Sequence, residues 1–175
     1  MFVATRSAVA VNFLLFQAGW FACVLGAARG FPWQGALVAL LIAAFIVFRS
    51  RNPRDELSLV LVAALAGFAF DSVLAMTGWV SFAGAVPLSA LAPVWMVALW
   101  ALFATTLNVS LRWLREWPVL GVLFGAIGGP VAYYAGERLG ALQFADPLLG
   151  LTAVAAGWAL ATPLLSALAL RLEAR

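Results

Sequence analysis

The residue with the clearest chemical potential in this sequence is Asp71, the one ionisable residue in the apolar run 57–76. A carboxylate within such a run costs about 2.5–3.5 kcal/mol to insert into a bilayer, so it normally faces protein or water. Gly67 and Ala75 lie four residues before and after Asp71. We therefore expect the carboxylate to lie on a face of small residues that another helix can approach closely.

A second group of polar and ionisable residues lies near residue 135. Tyr133 and Glu137 are four residues apart, as are Tyr134 and Arg138, so each pair shares a helix face. We predict a polar pocket at the level of Asp71, in which acids accept hydrogen bonds, arginines supply positive charge and aromatic rings form a wall. Its residues would be Asp71, Tyr133, Tyr134, Glu137, Arg138 and Arg29. The alternative is a structural Asp71–Arg138 pair, or charges that extend to the membrane interface.

Amides and hydroxyls form a second polar set within apolar segments. It comprises Asn12, Gln17, Thr105 and Asn108, and such groups usually form hydrogen bonds between helices. The alternative is that Thr105, Asn108 and Arg112 line a polar path, since they lie three and four residues apart.

A break is predicted in the fifth apolar segment at Gly128, Gly129 and Pro130. Proline inside a helix frees a carbonyl and favours a kink. Interrupted helices of this kind line the binding sites of many transporters.

Composition limits the chemistry further. The chain is 66% apolar and 10% charged, with a mean hydropathy of +1.07, so lipid must solvate much of its surface. A net charge of +3 without a long basic run argues against nucleic-acid binding. The chain has no histidine and a single cysteine, Cys23, and we predict no metal site, no cofactor and no disulfide.

No catalytic motif is present, so an enzymatic role is uncertain and less favoured than a non-enzymatic one. For an enzyme, Asp71 and Glu137 are the carboxylates placed for acid–base chemistry.

These residues must be positioned by helices that cross a membrane. Apolar runs about 20 residues long predict a single-domain, all-α bundle of six transmembrane helices. The expected spans are 7–28, 32–48, 57–76, 91–111, 118–138 and 148–170. The first is too long for the apolar core of a signal peptide and is interpreted as a retained span. Residues 77–90 are predicted to form a loop.

Arginine placement predicts the orientation. Eight arginines, including Arg175, lie at the two termini and in the second and fourth loops, whereas Arg29 and Arg138 lie in loops on the other side. Positively charged loops remain in the cytoplasm, so both termini are expected there.

Three stretches, 12–20, 93–113 and 128–141, together resemble an uncharacterised family of bacterial multi-pass inner-membrane proteins, known as a domain of unknown function. The resemblance covers nearly the whole chain and implies an inner-membrane location. It also implies a link to fatty-acid-modifying enzymes, including ones similar to cyclopropane synthases, but supplies no catalytic residue.

The leading functional hypothesis is that the protein binds or transports a small amphiphilic or lipid-derived molecule. The alternatives are an accessory or anchor subunit of a lipid-modifying enzyme, docked through the basic loops 49–54 and 112–115, and a membrane enzyme. The bilayer is an expected partner in every case, and the sequence does not predict an oligomeric state.

Overall fold

The computed structural model describes residues 5–85 and 90–174, and within them the chain forms six α-helices. Arg175 and residues 86–89 of the predicted loop 77–90 lie outside the described residues. The helices are α1 (Arg6–Ala28), α2 (Pro32–Arg49), α3 (Pro53–Met76), α4 (Val94–Ala104), α5 (Pro118–Arg138) and α6 (Pro147–Glu173).

Local sequence explains where these helices begin. Proline is the first residue of α2, α3, α5 and α6, a position where its missing N–H removes no helical hydrogen bond. The side chains of Thr5 and Asp146 accept hydrogen bonds from the first turns of α1 and α6. These caps satisfy N–H groups that have no partner within the helix.

The predicted all-α membrane bundle is confirmed. Five helices are long and apolar enough to cross a bilayer, namely α1, α2, α3, α5 and α6. Large apolar side chains cover their outward faces, and Phe48 and Leu41 are 81% and 61% exposed. Such a surface needs lipid as its solvent. The number of crossings and the cytoplasmic position of the termini remain predictions.

The fourth predicted span differs from the structure. Instead of one helix over 91–111, α4 ends at Ala104, turns follow, and a short 3₁₀ helix covers Arg112–Glu116. The hydroxyls of Thr105 and Thr106 donate to the carbonyls three residues earlier, and the carbonyl of Thr105 accepts from the Asn12 side chain instead of continuing the helix. Side-chain bonds of this kind compete with helical ones.

The short helix α4 fills the centre of the bundle. Eight of its residues are buried, and it packs against α1, α2 and α3, while α5 pairs mainly with α6. At 11 residues it is about 16 Å long, roughly half the thickness of the hydrocarbon core.

A two-stranded antiparallel sheet closes the end of the bundle where α3 and α5 finish. Strand β1 (Val80–Phe82) pairs with β2 (Leu142–Phe144), with Ser81 opposite Gln143. In each strand the outer residues are buried and the middle one is exposed. The sheet lies within the predicted loop 77–90 and the predicted connection between the fifth and sixth spans.

Candidate functional site

Asp71 lies at the centre of the molecule and is completely buried. Its Oδ2 accepts a hydrogen bond from Nε1 of Trp100 in α4 at 2.8 Å, and its Oδ1 accepts one from the hydroxyl of Tyr133 in α5. The carboxylate thus joins three helices, and both of its oxygens have a donor. This arrangement fits the rule that buried charged groups are paired or hydrogen-bonded.

Stacked tryptophans surround this carboxylate. The rings of Trp100 and Trp158 lie 4.3 Å apart at an angle of 19°, and Phe103 contacts both edge-on. Gly67 makes room for Trp100, since a Cβ there would lie 2.0 Å from its Cγ. The small-residue face predicted around Asp71 therefore receives an indole ring rather than another helix backbone.

A small cavity of about 60 Å³ adjoins this cluster and is lined by Trp100, Tyr133 and Trp158 among other aromatic and apolar residues. The indole N–H of Trp158 is buried and has no hydrogen-bond partner. A space of this size suits about one or two water molecules. It is too small for an amphiphilic ligand.

The six residues of the predicted pocket do not all come together. The structure brings Asp71 and Tyr133 into contact, but Tyr134 is 51% exposed. Arg29 and Arg138 are also exposed, and neither forms a salt bridge with Asp71, whose two oxygens are occupied by Trp100 and Tyr133.

Glu137 contacts the two-stranded sheet. Its Oε1 accepts a hydrogen bond from the backbone N–H of Phe144 at 3.1 Å, so it supports strand β2. Asp71 is fully buried among aromatic rings, and Glu137 is bonded to the sheet, so no hydrogen bond joins the two carboxylates proposed for an enzyme.

The break predicted in the fifth segment at Gly128, Gly129 and Pro130 stays a prediction. α5 continues from Pro118 to Arg138 with Pro130 inside it. Gly129 is needed for packing, because a Cβ there would lie 2.5 Å from Cγ of Trp158. Gly128 has open space around it, with the nearest atom 3.8 Å from such a Cβ. Contact with α6 therefore accounts for Gly129 of the motif.

The larger cavity lies at the opposite, arginine-rich end. It has a volume of about 890 Å³ and is bordered by α1, by the ends of α2 and α6, by the α2–α3 connection and by the turns that follow α4. Its walls are partly apolar, with Val11, Leu15, Phe45 and Ile46 among the lining residues. Binding sites for small molecules commonly have volumes of 300–1,000 Å³ and combine an apolar wall with a few polar groups.

The second predicted polar set lies in and beside this cavity. Asn12 donates from Nδ2 to the Thr105 carbonyl at 3.2 Å, and its Oδ1 accepts from the Ser110 hydroxyl at 2.6 Å. Asn108 donates to Oε2 of Glu56. Gln17 is half-buried, and its side chain forms no hydrogen bond among the described residues. Asn12 and Asn108 line the large cavity, whereas Thr105 is buried behind it.

Glu56 is the residue of greatest interest that the sequence analysis did not select. It is 5% exposed and lines the large cavity, and its second carboxylate oxygen, Oε1, has no hydrogen-bond partner. Its position in the first turn of α3 pointed to a helix-capping role. Only the approach of Asn108 and the end of α6 converts it into a buried group.

Two ion pairs connect the end of α6 to the 3₁₀ helix at the arginine-rich end of the bundle. Glu173 accepts from Arg112 at 2.7 Å and from Arg115 at 2.6 Å, and Arg115 also donates to the Leu107 carbonyl. Burial lowers the pKa of the Arg115 guanidinium, and the adjacent Glu173 carboxylate acts in the opposite direction. Both arginines of the fourth loop are thus engaged within the chain.

Among residues 5–85 and 90–174, no group of three His, Cys, Asp or Glu side chains is arranged to hold a metal ion. Cys23 is buried and unpaired.

A family model described as "Protein of unknown function (DUF2878)" matches residues 9–164. No curated protein and no solved structure matches the chain.

Proposed function

The chain belongs to the DUF2878 family of proteins of unknown function, and we propose that this member binds a small amphiphilic or lipid-derived molecule in the cavity at its arginine-rich end. The supporting observation is a cavity of about 890 Å³ whose lining includes Glu56, a buried carboxylate with an unpartnered Oε1. A buried acceptor without a donor costs about 1–3 kcal/mol. A ligand that presents a hydroxyl or ammonium to Glu56 would recover that cost.

The cavity has the two-part character that an amphiphile requires. Phe45 and Val11 contribute apolar surface and are more than half exposed, which suits contact with an acyl chain. Polar groups from α1, α3 and the turns after α4 line the inner part. We place the protein in the bacterial inner membrane, with this cavity on the cytoplasmic side.

Binding has more support than transport. The stacked pair Trp100–Trp158 and the completely buried Asp71 fill the core between α3, α4, α5 and α6, so a route through that core would pass them. A transported molecule would have to displace that cluster. Asp71 and Tyr133, from the pocket predicted by sequence, therefore have their clearest role in closing the centre of the molecule.

The two alternatives have less support. An accessory subunit docked through its basic loops would lack the cations of the fourth loop, because Arg112 and Arg115 bind Glu173. A membrane enzyme that uses Asp71 and Glu137 would need those carboxylates to share a site, and Glu137 is bonded to β2.

Blocking the cavity tests the proposal. Ala8 is exposed at the cavity wall, whereas Ala10, two residues along α1, is equally exposed and does not line the cavity. We expect protein purified in mild detergent to retain an amphiphile, detectable by native mass spectrometry and by analysis of its organic extract. Ala8→Trp should remove that molecule, and Ala10→Trp should leave it bound. Equal retention by both variants, or no bound molecule in the unmodified protein, would overturn the proposal.

A further inference from the structure

The charged groups around the large cavity differ in whether they already have partners. Arg112 and Glu173 both line it and form a salt bridge with each other at 2.7 Å. Arg51 also lines the cavity and interacts with other groups of the chain. These three side chains therefore have less charge to offer a bound molecule than their number suggests.

Three other charged residues of the cavity form no salt bridge among the described residues. Arg49 is exposed at the end of α2, Asp55 is half-buried, and Glu56 is buried with one oxygen unpartnered. Glu56 is also attracted electrostatically to the nearby Arg115. No salt bridge joins Arg49 to either acid, so a cation and two acids line the same space. Such a surface is complementary to a molecule that carries both signs of charge.

The chemistry of each group indicates which part of the ligand it contacts. Guanidinium groups bind phosphate through directed, charge-assisted hydrogen bonds, and Arg49 lies at the exposed rim. A buried carboxylate oxygen needs an N–H or O–H donor. Glu56 lies deeper and can accept from an ammonium that still carries hydrogen, whereas a trimethylammonium has none to donate.

Resting on the function proposed above, we infer that the occupant is a zwitterionic phospholipid with a primary ammonium, whose ammonium donates to Glu56 and whose phosphate contacts Arg49. The apolar wall that includes Val11 and Phe45 contacts the first part of its acyl chains. The shared chemistry of phosphate and ammonium also occurs in water-soluble headgroup compounds, and acyl chains distinguish the two sources.

Competition between lipids tests the inference. The protein is mixed in detergent with equal amounts of phosphatidylethanolamine, phosphatidylcholine and phosphatidylglycerol that have identical acyl chains, and bound lipid is measured by native mass spectrometry. We expect phosphatidylethanolamine to be retained about tenfold over the other two. Glu56→Gln should abolish this preference, and Arg49→Gln should weaken retention of all three lipids.

Two matched variants serve as controls. Arg54 and Glu116 are exposed and do not line the cavity, so Arg54→Gln and Glu116→Gln should retain the lipids as the unmodified protein does. Should Glu56→Gln fail to fold, Arg49→Gln still tests the phosphate contact, because its side chain is exposed and forms no hydrogen bond among the described residues.

The outcomes separate this inference from the function on which it rests. Retained lipid with no headgroup preference would overturn the inference and leave the amphiphile-binding proposal in place. Failure of Ala8→Trp to reduce retention would overturn that proposal itself. Displacement of the lipid by an equal concentration of glycerophosphoethanolamine would overturn the assignment to a lipid, because acyl chains would then add nothing to binding.

Discussion

At the scale of residues, both carboxylate oxygens of Asp71 accept a hydrogen bond from a side chain of a different helix. Asp71 is completely buried, so loss of either donor removes the hydrogen bond to a buried oxygen. The neighbouring tyrosines Tyr133 and Tyr134 provide a direct comparison, because the first donates to Asp71 and the second is exposed.

Tyr133→Phe should lower the free energy of unfolding by about 1–3 kcal/mol, since it leaves Oδ1 of Asp71 without its donor. Tyr134→Phe removes the same hydroxyl from an exposed side chain and should change stability by less than about 0.5 kcal/mol. Thermal unfolding in detergent, followed by tryptophan fluorescence, measures both. Equal stability of the two variants would contradict the structural role of Asp71.

At the scale of elements, glycines decide how closely helices and rings approach. The adjacent residues Gly128 and Gly129 of α5 differ sharply in their surroundings. A Cβ on Gly129 would meet Trp158 at 2.5 Å, whereas one on Gly128 would lie 3.8 Å from its nearest neighbour, Phe124.

Gly129→Ala should therefore destabilise the protein by about 1–3 kcal/mol, because Trp158 and its stacked partner Trp100 must shift. Gly128→Ala should be neutral or stabilise by up to about 1 kcal/mol, since alanine favours the helix more than glycine does. Denaturation by a graded addition of a denaturing detergent compares the two. Equal destabilisation would show that the Gly-Gly-Pro motif has a role beyond packing.

The register of the two-stranded sheet can also be tested. Ser81 and Gln143 are partners across β1 and β2, and both are exposed. Facing residues of antiparallel strands have Cα atoms about 4.5–5.5 Å apart, a separation that a disulfide can bridge.

Ser81→Cys combined with Gln143→Cys should form a disulfide under mild oxidation, detected as loss of two free thiols by mass spectrometry. The native Cys23 is buried and should not interfere. Ser81→Cys combined with Ala145→Cys is the matched control, because Ala145 pairs with Trp79 instead of Ser81. Preferential crosslinking of the control pair would contradict the observed register.

At the scale of the whole molecule, contacts from four parts of the chain gather at one end. Asn12 of α1 reaches Ser110, Glu56 of α3 reaches Asn108, and Glu173 of α6 reaches Arg112. The start of α1 and the end of α6 therefore lie on the same side of the bundle, in agreement with the arginine-based orientation.

We predict that this side is cytoplasmic. Fluorescent-protein fusions at the C-terminus should be fluorescent in intact bacteria, since green fluorescent protein exported by the general secretion route does not fold. A cysteine at Gln143 in the sheet should react with a membrane-impermeant maleimide added outside spheroplasts, whereas one at Arg54 should react only after lysis. The reverse labelling pattern would invert the topology.

The sequence by itself determined that lipid solvates much of this protein's surface and which segments of the chain form most of its helices. Long apolar runs with proline at their starts have few alternatives to helices in lipid, because backbone groups there must be satisfied within the segment. It also determined that Asp71 must face protein or water, since a carboxylate exposed to lipid hydrocarbon is costly whichever helix carries it. The alternation in Val80–Phe82 and Leu142–Phe144, next to Gly78 and Gly140, was a readable but short signal for the strands.

The tertiary structure alone decided which side chains meet. Asp71 could have paired with Arg138, but helix packing placed Trp100 and Tyr133 beside it. α4 ended early because the Thr105 carbonyl accepts a hydrogen bond from the side chain of Asn12, which lies more than 90 residues away in the chain. Glu56 became a buried group with an unpartnered oxygen only when α3 met the turns that follow α4. These hydrogen bonds and cavities form between segments that are far apart in the sequence. The spacing of residues within one segment does not predict which distant side chains it will contact.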